Sequence, residues 1–328
     1  MTMSKIVKVA FVLFLICIIF GFSYINSINM RPTEPFLGFG SELDSVATEP
    51  NTKIVNARNT DLPLREYCML SSYNTALTGT RVNLDMIVNV LKRGCRFIDL
   101  EIYSIGDKPV VGYSTDIRNF NLEVDNTIPL VEVLNKISTI GFAEAPNSND
   151  PIFINLRVKT SDQKLYTKIA ATLDETVGPR LYAKKGTNAA TIATPLSDFM
   201  GKIVILLDNA IEPPAKNGLS KYVNLELNKT GVRSYIAPML TSEFITPPHT
   251  KDNRKGTDVT MLKIVIPGEN ENPNMKKFVT EYGTQVLFNR FYKPDDNMRE
   301  TERIFSDIGS AFVPISKMLK YFKTSGSE

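Results

Sequence analysis

The sequence predicts an α/β fold of repeated strand and helix units, preceded by one transmembrane helix. Three observations carry this. Short β-rich runs alternate with helix-period segments from Leu64 almost to the end, and an uncharged apolar run of 17 residues, Val9 to Ile25, stands near the N-terminus. The length, 328 residues at 43% hydrophobic content, suits one large domain or two ordinary ones and is ample to bury a sizeable core. Pattern alone leaves the sheet free to close as a (β/α)8 barrel or to lie open as a doubly wound sheet.

The elements follow from periodicity. Strands are expected at Cys68 to Leu70, Phe97 to Tyr103, Pro109 to Gly112, Ile152 to Val158, Lys202 to Leu207, Leu262 to Ile266, Gln285 to Phe288 and Ala311 to Pro314, where β-branched and aromatic residues gather between turn formers. A helix is expected at Leu84 to Lys92, because Leu84, Ile87, Val88 and Leu91 fall on one face at i, i+3, i+4 and i+7. Further helices are expected at Leu130 to Ile140, Gln163 to Val177, Asn274 to Tyr282 and around Met298 to Ile308.

The N-terminal run needs only the aliphatic stem of Lys8, with Ile6 and Val7, to reach the about 20 residues that cross a bilayer core. A cleaved signal peptide competes with this reading, but the run ends in Phe22, Ser23, Tyr24, Ile25 and Asn26, which makes a poor cleavage site. We therefore expect residues 1–31 to be an uncleaved membrane anchor, 32–61 a linker, 62–323 the barrel-type body and 324–328 a tail. Lys5 and Lys8 precede the run and Arg31 follows it, so the N-terminus is expected on the cytoplasmic side and the body on the other. Asn228-Lys229-Thr230 is an N-glycosylation pattern of a kind that often arises by chance.

Charge excludes some functions. Lys5, Lys8 and Arg31 account for the whole formal net charge of +3, and the body is neutral. A nucleic-acid partner is not expected, since such a domain needs a basic excess to displace phosphate counterions. Three cysteines are too few for a disulfide framework. The single histidine, His249, rules out any mechanism that uses two imidazoles from one chain, and it sits in a polar Pro-Pro-His-Thr loop.

Residues 64–79 read LREYCMLSSYNTALTG, 91–103 LKRGCRFIDLEIY and 108–116 KPVVGYSTD; farther on come PLVEVLNKISTIGFAEAPNSNDPIFINL, LSDFMGKIVIL, EYGTQVLFNRFYKPDDNM and IFSDIGSAFVPISKML. These blocks resemble the catalytic X and Y regions of the phosphoinositide-specific phospholipase C family over roughly residues 62 to 322, loosely between Asn209 and Thr260. The resemblance implies a distorted (β/α)8 barrel of the TIM type. It also implies a mechanism in which one histidine deprotonates the inositol 2-hydroxyl, a second protonates the leaving group, and calcium steadies the phosphate.

The chain departs from that pattern where chemistry occurs. The first histidine position holds Tyr73, and the second falls on Gly112 or Tyr113. A phenol with a pKa near about 10 is a poor base at neutral pH. Of the calcium ligands, Asn74, Asp99 and Glu101 have counterparts, and strand alternation puts the two acids on one face. The fourth ligand is replaced by Arg157, whose guanidinium is expected to repel calcium and to pair with Asp99 or Glu101. The family's phosphate-binding lysines fall on Leu206 and Asp208, and Lys263 lies one residue from its substrate arginine, for which it could substitute. Ser242-Glu243 keeps the family's Ser-Glu. Cys68 and Cys95 lie beside neighbouring strands in this barrel, and a disulfide between them is open.

Two functional readings follow. In the first, the protein is a membrane-anchored, catalytically inactive phospholipase C-like module that binds a phosphoinositide or inositol phosphate head group, or serves a structural role, with no cofactor; its protein partner is not named by the sequence. In the second, it is a divergent phosphoric diester hydrolase acting on phosphatidylinositol or a related lipid, with calcium, and with Tyr73 or Tyr113 activated by Arg96 or Arg157.

Overall fold

The computed structural model describes residues 52–115, 121–182, 190–208, 218–227, 235–240, 261–268 and 270–324, with Leu43 and Val46. In chain order these form β1 (Tyr67–Ser72), α1 (Leu84–Lys92), β2 (Phe97–Ile105), β3 (Lys108–Gly112), β4 (Ile128–Pro129), α2 (Leu130–Thr139), β5 (Ile152–Val158) and α3 (Gln163–Val177). They continue as β6 (Ile203–Asp208), β7 (Leu225–Leu227), β8 (Tyr235–Leu240), β9 (Met261–Ile266), α4 (Met275–Tyr282), β10 (Val286–Asn289), α5 (Asp296–Ile308), β11 (Phe312–Pro314) and α6 (Ile315–Thr324).

A ladder of parallel strands runs β7-β6-β5-β2-β1-β10-β9-β8. Set aside the antiparallel β3 and β4 beside β2, and each strand neighbours the next in the chain, while β10 returns to β1. That is the strand order of a (β/α)8 barrel rather than of a doubly wound sheet. No ladder joins β7 to β8 among the described residues. The antiparallel β11 adds to the lower part of β1.

Parallel strands covered on both faces read as continuous apolar runs, and β5 is buried at all seven positions. On β2, Phe97 stacks on Phe153 of β5 (centroids 5.8 Å apart) and meets Phe288 of β10 edge-on (5.3 Å), so these rings fill the barrel interior. Alternation then carries Asp99, Glu101 and Tyr103 up the same inner face. Helices start on side-chain caps: Asn83, Asp162, Asn274 and Asp295 each accept a backbone N–H of the first turn, an interaction typically worth about 1 kcal/mol.

Residues 52–61, expected to belong to a linker, are fastened across the end of the barrel where strands begin. Lys53 N–H donates to Ser306 Oγ (2.9 Å), Val55 N–H to the Gly309 carbonyl (3.2 Å) and Ala57 N–H to Asp150 Oδ1 (2.8 Å), and Asn149 N–H donates to Asn56 Oδ1 (2.9 Å). Ile54 sits so close over Gly94 that a Cβ there would lie 2.9 Å from Ile54 Cδ1. The Gly94 φ of +87° adds a second reason for glycine at the turn leaving α1.

Four elements were not anticipated: β4 and β7 are only two and three residues long, β8 falls in the loosely patterned middle of the chain, and α6 follows β11 without a break. The expected disulfide option is closed, since Cys68 and Cys95 are free and their thiols donate to the Thr284 and Leu70 carbonyls at 3.7 and 3.3 Å. The expected anchor, the glycosylation triplet, Ser242-Glu243 and His249 lie outside the described residues. Among those described, no helix is long and apolar enough to cross a membrane.

Candidate functional site

The C-terminal strand ends of β1, β2 and β5 converge on one buried side chain, Arg157. Register places Asp99 beside Asn155 and Glu101 beside Arg157, one layer above the phenylalanines. Arg157 Nε donates to Asp99 Oδ1 (2.9 Å) and Nη2 to Asp99 Oδ2 (2.7 Å). Nη1 donates to Glu101 Oε1 and Nη2 also reaches Asn74 Oδ1. The guanidinium carbon lies 4.5 Å from the centre of the Tyr73 ring, a cation–π contact.

The remaining lone pairs of both acids are also engaged. Asp99 Oδ1 accepts from Asn155 Nδ2 (2.8 Å) and Oδ2 from Asn74 N–H (2.9 Å). Glu101 Oε2 accepts from the Tyr103 hydroxyl (3.0 Å) and from Ser114 N–H (2.9 Å), and Lys159 Nζ stands 3.5 Å from Oε1. Three of the four carboxylate oxygens thus accept two hydrogen bonds each, and Glu101 Oε1 accepts one from Arg157 and ion-pairs with Lys159. Two cations face two anions, and all four side chains are almost wholly buried. Asn74 turns into this cluster with φ of +45°, a left-handed conformation that asparagine tolerates better than most residues.

Protonation follows from burial. Burial by itself lowers the Arg157 pKa, but Asp99 and Glu101 outweigh it and hold the guanidinium well above its ordinary value. The Tyr73 phenol is pushed above its ordinary value by burial, helped by Asp99 and Glu101 against Arg157. Tyr103 and Tyr113 are raised by burial and then by Glu101, and Tyr292 by burial and then by Tyr113 and Tyr73. None of these phenols is a base near neutral pH.

The structure brings together Tyr73, Asn74, Asp99, Glu101 and Arg157 as expected, with Tyr113 at the rim against Tyr292 (centroids 6.3 Å). Gly112 pairs with Glu101, and a Cβ on it would lie 2.3 Å from Leu122, so Leu122 fills the space a larger side chain would need. Other expectations are corrected. Lys263 does not substitute for a substrate arginine, because its ammonium donates to the Tyr282 carbonyl (3.0 Å) at the end of α4, outside the barrel. Arg96 cannot activate a rim tyrosine. It lies at the start of β2, donates to the Gly141 carbonyl (2.8 Å) and Asn147 Oδ1 (2.9 Å), and burial lowers its pKa to about 10. Lys159 escaped the sequence reading, although Asn155, Arg157 and Lys159 follow the alternation that paired Asp99 with Glu101.

A family model for the X domain of phosphatidylinositol-specific phospholipase C matches residues 60–208. The body of the chain is a phosphoinositide-specific phospholipase C-like barrel. Its relatives include 1-phosphatidylinositol 4,5-bisphosphate phosphodiesterase 1 of Saccharomyces cerevisiae, 27% identical over 198 residues that cover 58% of this chain and 20% of the yeast protein. PLC21 of L. pealei shares the fold at a TM-score of 0.66 and 16% identity, covering 82% of this chain and 39% of that one. PLC21 of S. officinalis gives 0.65 at the same identity and coverage. The chain therefore spans about a fifth of the yeast relative and well under half of either solved one.

The calcium that this resemblance implies does not fit the phospholipase C-like barrel. Calcium takes 6–8 oxygen ligands, and here the two acids already accept seven hydrogen bonds from nitrogen and hydroxyl donors, with the Arg157 guanidinium between them. Among the described residues, no group of three or more His, Cys, Asp or Glu side chains is placed to hold a metal ion.

Proposed function

We propose that this protein is a membrane-anchored phospholipase C-like module without phosphodiesterase turnover, which recognises a phosphoinositide or inositol phosphate head group or serves as a scaffold. One observation carries the reading: Arg157 fills the space among Asn74, Asp99 and Glu101, bonding all three side chains. The residues at the family's histidine positions support it. Tyr73 holds its proton, and neither Gly112 nor Tyr113 supplies an imidazole. Loss of general acid and general base typically costs about 10²- to 10⁴-fold each, whereas binding survives such a loss. A shared fold does not restore an activity whose groups have changed. The apolar run Val9 to Ile25, flanked by Lys8, supports the anchor, with the N-terminus on the cytoplasmic side and the barrel opposite.

The test is the full-length protein in detergent or vesicles, incubated with phosphatidylinositol and with simpler phosphodiesters, with calcium and with chelator. Head-group release equal to the blank in every arm is the expected result. Calcium-dependent release that disappears with Asn74→Ala would establish the divergent hydrolase instead. A thermal-shift series with inositol phosphates then separates a receptor, whose melting temperature rises, from a scaffold, whose melting temperature does not. Alkaline extraction of membranes tests the anchor, since a spanning segment stays in the pellet.

A further inference from the structure

We infer that Arg157 is this protein's built-in cation: its guanidinium takes the central place among Asn74, Asp99 and Glu101, so the polar centre of the barrel assembles without metal, and removal of the side chain uncovers a latent cation site. The inference deepens the proposed inactive reading and rests on the same geometry, but it concerns what holds the site together rather than what the site does.

The fork of Arg157 spends its donors on three side chains at once, two on β2 and one in the turn after β1. Nε and Nη2 grip Asp99 side-on, Nη1 reaches Glu101, and Nη2 also reaches the turn after β1 at Asn74. A divalent ion would bind the same three side chains, but here the planar fork matches two carboxylates and an amide with directed bonds, and Tyr73 stacks on its face. Charge balance agrees. Arg157 and Lys159 offset Asp99 and Glu101, so a divalent cation added to this set would leave two uncompensated positive charges in a site that excludes water. With Arg157 truncated, the balance turns negative and three oxygen-bearing side chains, two from β2 and one from the turn after β1, converge on an opened space.

The test is thermal melting of the full-length protein in detergent, stripped with chelator, with calcium or guanidinium ion added back at millimolar concentration. The wild-type melting temperature is expected to stay put under both additions. Arg157→Ala is expected to melt lower in chelator, by roughly 10 °C, and to recover part of that loss with either cation. If Arg157→Ala yields no folded protein, the double variant Asp99→Asn/Arg157→Met, which removes anion and cation together, is expected to fold and to melt above Asp99→Asn alone. A saturable calcium-induced rise in the wild-type melting temperature overturns the inference. So does an Arg157→Ala melt equal to wild type in chelator, or a double variant no more stable than Asp99→Asn. None of these readings depends on hydrolysis, so a phosphodiesterase activity found in the other assay leaves this result standing and the converse also holds.

Discussion

Arg157 meets Asp99 as a bidentate pair, Nε to Oδ1 at 2.9 Å and Nη2 to Oδ2 at 2.7 Å, with neither side chain exposed beyond 5%. A pair of this kind gains little over an apolar core, yet breaking it strands a buried charge. Asp99→Ala is therefore expected to cost about 3–5 kcal/mol in denaturant unfolding. Arg157→Lys is expected to be destabilising as well, because an ammonium cannot grip Asp99 side-on and reach Glu101 and Asn74 together.

On the proposed reading without turnover, an imidazole placed at position 73 is not expected to create phosphodiesterase activity. Tyr73→His places a base at the rim, but Arg157 still occupies the centre and both acids remain engaged. Head-group release from phosphatidylinositol by this variant, with or without calcium, is expected to equal that of the wild type; release above it would show that an imidazole at position 73 is enough to make the site work.

The rim tyrosines predict the alkaline limit of stability. Tyr73, Tyr103, Tyr113 and Tyr292 all have raised pKa values in the folded protein. The unfolded chain releases these protons near pH about 10, while the folded chain holds them. Their contribution is thus intact below about pH 10 and is lost as pH rises from there toward the folded-state values. Melting temperature is expected to fall steeply above about pH 10, less steeply in Tyr73→Phe, and phenolate absorbance of the folded protein is expected to lag that of the denatured chain.

The segment before β1 is expected to behave as part of the core. Ile54 is 2% exposed, and Ile54→Ala should cost about 2–5 kcal/mol in denaturant unfolding. Gly94→Ala, beneath it, is expected to destabilise too, through the clash with Ile54 and the left-handed backbone. A linker that merely passes the barrel would leave both variants as stable as the wild type.

Burial pushes the Cys95 thiol up to about 12, and Cys68 is equally buried. Neither is expected to react with a maleimide in the folded protein, and both are expected to react after denaturation, which mass spectrometry of the labelled peptides resolves from Cys17.

Much of this arrangement was readable in one dimension because periodicity is local. Ile152 to Val158, Leu84 to Lys92 and Gln163 to Val177 are the bounds of β5, α1 and α3. The two-residue step from Asp99 to Glu101 announced a shared face. By contrast, Leu225–Leu227 is too short to show a period, and Tyr235–Leu240 lies among polar and proline-rich sequence, so β7 and β8 were found only through their partners β6 and β9. Residues 52–61 carry no period at all, because their burial comes from single contacts with Gly94, Asp150, Ser306 and Gly309.

By itself the sequence determined the chemical inventory: one histidine, tyrosine at one of the places where the resemblance puts an imidazole and glycine or tyrosine at the other, an arginine where it puts a carboxylate, and an apolar run at the N-terminus. These are facts of residue type and spacing, and no folding changes them. Only the tertiary structure decided what the inventory does. Residues 83 apart in sequence, Asn74 and Arg157, share a hydrogen bond, Lys159 joins Glu101, and Lys263 turns outward. Whether a buried acid stands open to a metal or closed by a guanidinium depends on which donors the barrel brings within about 3 Å of its oxygens, and that distance is set by strand register across β2 and β5.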